Sequence, residues 1–199
     1  MSSFNLEQQN KIESKIVVAL ERVSEAFRVL LWNESKKNAL SPIQIQILIF
    51  LLFHSQEKCK VSYLAEEFNM TKATVSDSVK VLLKKGLISK SSSETDNRSY
   101  TISLSTSGKN TAQKVASFAK GIEMPVTSLS QNQKEVMLDG LLQLINNLNK
   151  AGIITIQRMC FSCDYYQNVH GKHYCSLLQT TLHKTDLRID CPEHLEKSQ

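Results

Sequence analysis

The sequence predicts a mainly helical chain with one small β-hairpin and a short cysteine-rich tail. Glycine (6) and proline (3) are scarce among its 199 residues, so long helices meet few breakers. Apolar residues recur at steps of three and four over most of the chain. That periodicity stops near residue 153, and four of the five cysteines follow it. A hydrophobic content of 41% against 22% charged residues supports a packed core. We therefore divide the chain into a helical region, 1–152, and a small tail, 153–199.

The stretch from about Asn5 to Trp32 puts Ile12, Ile16, Leu20, Val23, Phe27 and Leu30 on one helical stripe. Its near-heptad spacing suits a core helix or a contact between two copies. Ser41-Pro42 reads as an N-cap with proline in the first turn. The helix that follows is apolar nearly all round and belongs at the centre of the core. Val61 to Phe68 is a short helix with Ser62 as its cap. After a break at Asn69-Met70, Thr71 caps a second helix, Lys72 to Lys85, which ends at Gly86. Two short helices joined this way make a helix-turn-helix. Leu87–Lys90 and Tyr100–Ser105 alternate as strands around a polar tip, a hairpin placed as a wing. The winged helix-turn-helix core spans about 41–105. A helix from Thr106 or Ser107 runs to about Met124, where Pro125 interrupts or ends it. Ser130 caps a last striped helix that Gly152 ends, and Ile153–Met159 alternates weakly, as a strand would.

The second short helix has the chemistry of a DNA reader. Thr71, Lys72, Thr74, Ser76 and Ser78 crowd its first half, and Lys80, Lys84 and Lys85 add charge. Short hydroxyls and ammonium groups bind phosphate oxygens and base edges, and a helix N-terminus favours phosphate. Ser62 and Lys90 add polar contacts from the flanking elements. Arg98 near the wing tip can enter a minor groove, with Asp96 bracing its guanidinium. A net charge of +5 is compatible with this and does not establish it.

The combination resembles the multiple-antibiotic-resistance regulator (MarR) family. The carrying segments are Val61-Ser-Tyr-Leu-Ala-Glu-Glu-Phe, Thr71-Lys-Ala-Thr-Val-Ser and Leu82-Leu-Lys-Lys-Gly-Leu-Ile, and above all Asp96-Asn-Arg-Ser-Tyr-Thr-Ile-Ser-Leu-Ser-Thr-Ser-Gly-Lys109. The likeness runs in element order over about Asn5 to Lys150 and is most specific at the wing. It implies a homodimer built from the first and last long helices. It also implies two recognition helices in successive major grooves of a pseudo-palindromic operator, usually repression, and a small-molecule or redox effector. Two departures stand out: the wing tip Ser91-Ser92-Ser93-Glu94 is less basic than in many relatives, and the chain continues well past the last dimer helix.

In that continuation Cys160-x-x-Cys163 is followed by Cys175 and Cys191, with eleven and fifteen residues between. A close pair of thiolates meets one ion, and two more complete a tetrahedral set. The spacings fit a zinc ion first and an iron–sulfur cluster second. His170, His173, His183 and His194 are spare donors that read better as surface residues. So short and polar a tail gains its stability from metal, and its state could set the dimer geometry. Cys59 reads as a small buried residue, although Lys58 and Lys60 would also suit a reactive thiol.

Other functions find less support. There is no Gly-rich phosphate loop, no His-Glu-x-x-His and no nucleophile elbow, so an enzyme is not expected. A thiol–disulfide enzyme would lack its βαβ surroundings, and a protein-binding adaptor would not need the hydroxyls and lysines. No apolar run is long enough to cross a bilayer, and the first residues lack a signal-peptide pattern, so a cytoplasmic protein is expected.

Overall fold

A computed structural model describes residues 3–5, 10–92 and 100–197. It has seven α-helices and five short strands among those residues: α1 (Ile12–Asn38), α2 (Pro42–Phe53), α3 (Val61–Glu67), α4 (Lys72–Lys84), β1 (Ile88–Ser92), β2 (Tyr100–Leu104), α5 (Thr106–Val115), α6 (Lys120–Thr127), α7 (Gln131–Lys150), β3 (Tyr166–Val169), β4 (Lys172–Cys175) and β5 (Thr180–Leu182). The mainly helical class with a β-wing stands.

The core follows from α2. Ser41 Oγ accepts from Gln44 N–H while Gln44 Oε1 accepts from Ser41 N–H, a reciprocal capping box, and Pro42 fills the first helical position. Ile45, Ile47, Leu48, Phe50 and Leu51 are all buried, because α2 is enclosed by α1, α4, α5 and β2. Val75, Val79 and Leu82 of α4, Leu64 of α3, Ile88 and Ile102 of the wing, and Ala112 and Val115 of α5 complete one apolar core.

Several boundaries differ from the sequence reading. Ser62 does not cap α3: Lys60 holds the cap position without a side-chain bond, and Ser62 lies exposed inside the first turn. Helix α5 is capped by Ser105, whose Oγ accepts from Gly108 N–H and donates to the Gly86 carbonyl. The expected long helix to Met124 is split by a 3₁₀ turn at Ala116–Ala119, and Pro125 lies inside α6 two residues from its end. Ser130 and Gln133 form a second capping box at α7. Residues 153–159 form no strand, because they lie along the helix-turn-helix instead of pairing with a sheet: Thr155 N–H donates to Asn69 Oδ1, and Thr155 Oγ1 donates to the Glu66 carbonyl.

The tail is less separate than its composition suggests. Strands β3–β4–β5 form an antiparallel sheet, and Leu142 of α7, Met159 and Leu187 form a second small core with Phe161, Tyr166 and Leu182 around it. The tail therefore folds against α7.

One glycine is fixed by close approach. A Cβ on Gly108 would lie 1.7 Å from the Leu87 carbonyl oxygen, which belongs to the backbone and cannot turn away. The substitution Gly108→Ala is expected to cost about 1–3 kcal/mol by overpacking, seen as a lower urea midpoint.

Candidate nucleic-acid interface

Helix α3, the turn at residues 68–71 and helix α4 form the expected helix-turn-helix. The turn closes because Met70 N–H donates to the Ala65 carbonyl at 2.8 Å and Asn69 takes a left-handed φ of 50°. Thr71 Oγ1 accepts from Thr74 N–H and lies 2.9 Å from Thr74 Oγ1. Burying Val75, Val79 and Leu82 turns the opposite face of α4 outward. Thr71, Lys72, Thr74 and Lys80 are exposed there, and Ser76 is half-buried.

Ser78 must be removed from this face. It is buried, and its Oγ donates to the Thr74 carbonyl at 3.1 Å, because its position falls on the core side of the helix. Lys85 is also committed elsewhere, donating to the Ala39 carbonyl at the end of α1. The sequence reading missed Asp77, which is exposed on the same face and pairs with Lys80 at 2.9 Å. That hydrogen bond holds the Lys80 ammonium pKa above its usual value.

The wing pairs β1 with β2 in antiparallel register, Ile88 opposite Leu104 and Lys90 opposite Ile102. Ile102 is fully buried, and its N–H donates to the Cys59 carbonyl, which anchors the wing to the core. Lys90 Nζ sits 4.0 Å from the centroid of the Tyr100 ring, a cation–π contact on the wing surface. Asp96 and Arg98 lie outside the described residues.

Cys59 is buried, with its thiol donating to the Ser55 carbonyl, and burial pushes its pKa up. A reactive role needs the reverse. Cys160, Cys163, Cys175 and Cys191 line one cavity, and no disulfide joins any of the five cysteines. Burial, partly offset by the Arg188 N–H, also raises the pKa of the Cys160 thiol. None of the four tail histidines lines that cavity.

A highly connected polar residue, Arg158, went unread in the sequence. Arg158 is buried, and its guanidinium ties α3 to the segment around Asp190. Nη1 and Nη2 donate to the two carboxylate oxygens of Glu67 at 2.6 and 3.0 Å, and Nη1 also donates to Tyr63 Oη at 3.0 Å. Nε donates to Asp190 Oδ1 at 2.6 Å. His54, stacked on Phe50, places Nε2 at 2.8 Å from Asp190 Oδ2. Burial works against the charge on Arg158, but the bonds to Glu67 and Asp190 outweigh it and raise its pKa. Asp190 is likewise pushed up by burial, yet Arg158 and His54 hold it below the usual carboxylate range. The only sequence signals were an arginine just before Met159-Cys160 and an aspartate beside Cys191.

Residues 40–99 match the model of the MarR family. The winged-helix segment is thus similar to that family. No curated protein matches the chain. Among solved structures, MepR of Staphylococcus aureus in complex with DNA is 23% identical and superposes with a TM-score of 0.59, over 66% of this chain and 97% of that one. MepR in a DNA-binding conformation gives 23% and 0.59, over 67% and 98%. A MarR transcriptional regulator from Methanosarcina mazei Go1 gives 18% and 0.59, over 68% and 97%. At these identities the likeness establishes the fold. No helix among the described residues is long and apolar enough to cross a membrane.

The Arg158 hub has a direct test. Arg158→Ala leaves the partly buried Glu67 carboxylate without its cation, and is expected to cost about 1–3 kcal/mol. Faster amide exchange in α3 and in the segment around Asp190 is the readout.

Proposed function

We propose that this chain is a homodimeric transcriptional regulator, a repressor in its ordinary action, that binds a pseudo-palindromic duplex. The carrying observation is the exposed face of α4, where Thr71, Lys72, Thr74 and Lys80 stand clear beside a wing carrying Lys90. The match of residues 40–99 to the MarR family supports the reading, as does the likeness of fold to a protein crystallised on DNA. Helix α4 enters the major groove by its N-terminal half, and the wing follows the adjoining backbone.

The dimer reading rests on α1. Ile12, Ile16, Val23 and Phe27 repeat along one stripe and are exposed in the single chain, Ile12 to 67%. Met124 of α6 and Val136 and Met137 of α7 are exposed as well. A second copy is the occupant that covers such a stripe symmetrically. The cysteine tail serves as a metal- or redox-linked input to this regulator.

Two predictions follow from the face and the stripe. Lys72→Ala is expected to weaken binding to a selected duplex and to lower the slope of log affinity against log salt by about 1. Binding absent even at low salt would overturn the reading. Phe27→Glu is expected to convert dimers to monomers in sedimentation and to reduce duplex affinity by more than about tenfold. A wild-type chain that sediments as a monomer at micromolar concentration would overturn the dimer.

A further inference from the structure

The four tail cysteines line one cavity, a donor set of the kind that binds a metal centre. Cys160 and Cys163 come from a 3₁₀ turn, Cys175 from the end of β4, and Cys191 from the segment after Asp190. Tyr165, Leu177, Leu178 and Leu182 supply an apolar part of the remaining wall, and Asp186, Arg188 and Glu193 a charged part. Cys160 Sγ accepts from Arg188 N–H at 3.2 Å, and Arg188 Nη1 lies 3.7 Å from Cys191 Sγ. N–H donors aimed at sulfur and apolar side chains beside it suit thiolates that share charge with a cluster.

We propose that Cys160, Cys163, Cys175 and Cys191 hold an iron–sulfur cluster, and that the Arg158 hub transmits its presence or absence to the helix-turn-helix. The second part rests on the DNA-binding reading above. The path is short. Cys191 N–H donates to the Arg158 carbonyl at 2.8 Å, and Cys160 N–H donates to the Arg188 carbonyl at 3.0 Å. Asp190, next to Cys191, holds Arg158 Nε, and the same guanidinium grips Glu67 and Tyr63 of α3. Helix α3 packs on α4 across the turn. A ligand shift at Cys191 therefore reaches α3 through one rigid, charged fork. Close-packed elements of this kind move between discrete arrangements instead of deforming smoothly.

The full chain, purified without oxygen, is analysed for iron, acid-labile sulfide and zinc, and its visible absorption is recorded. Iron and sulfide in similar amounts with a broad visible band are expected. Zinc in stoichiometric amount without iron, or no metal in both the purified and the reconstituted protein, overturns the cluster. Duplexes are then selected from a random pool, separately with loaded and metal-free protein. Affinities of the two forms are expected to differ by about tenfold or more, within the usual range of coupling between sites. Equal affinities overturn the transmission, whereas no duplex selected by either form overturns the DNA-binding reading and leaves the metal result standing. Glu67→Gln is expected to keep its iron and lose most of the difference. Asp190→Asn breaks the hub from the tail side and serves if Glu67→Gln does not fold. A folded variant that keeps the full difference overturns the route through Arg158.

Discussion

The buried Arg158 guanidinium is the interaction on which the arrangement of the two halves depends. A charge in that position is tolerated only because Glu67 takes it on two sides, Asp190 on a third, and Tyr63 completes the set. The geometry is demanding, and demand of this kind fixes orientation. Apolar contact between α7 and the tail leaves some freedom to slide. A planar fork with partners from α3 and from the segment beside Cys191 removes it.

The fork also explains why the winged-helix region and the tail are better described together. The segment from Thr155 to Arg158 runs along the helix-turn-helix, bonding to Glu66 and Asn69 before reaching Glu67. Leu142, Met159 and Leu187 then close a second core against α7. The winged helix supplies the scaffold, with α2 at its centre, and the tail is fastened to the same surface that sets the position of α3.

Much of this was legible in the sequence, for definite reasons. Ser41-Pro42, Thr71 and Ser130 are caps whose partners lie three residues away, and local chemistry of that range is readable without tertiary contacts. The inward set Val75, Val79 and Leu82 follows from helical period alone. The failures share one cause. Ser78 has the polarity of the outer face but the phase of the inner one, so composition misplaced it. Ser62, by polarity, looked like a cap, but α3 begins at Val61 as expected and Lys60 holds the cap position. Residues 153–159 alternate like a strand, but their partners are helix-turn-helix residues nearly ninety positions away. Glu67, Arg158 and Asp190 lie far apart in the chain, and no local pattern marks charges that meet only after folding.

Asp77 gives the exposed face of α4 a character that its lysines and hydroxyls conceal. Its carboxylate stands among groups suited to phosphate and is held in place by Lys80. Against a nucleic-acid backbone such a group is repelled, whereas the amino group of cytosine offers it a donor. In the DNA-binding reading proposed above, the face has one position that resists indiscriminate adhesion and tolerates contact only where a base can answer it. Selectivity of this sort needs no additional grip, since it works by making the wrong places worse.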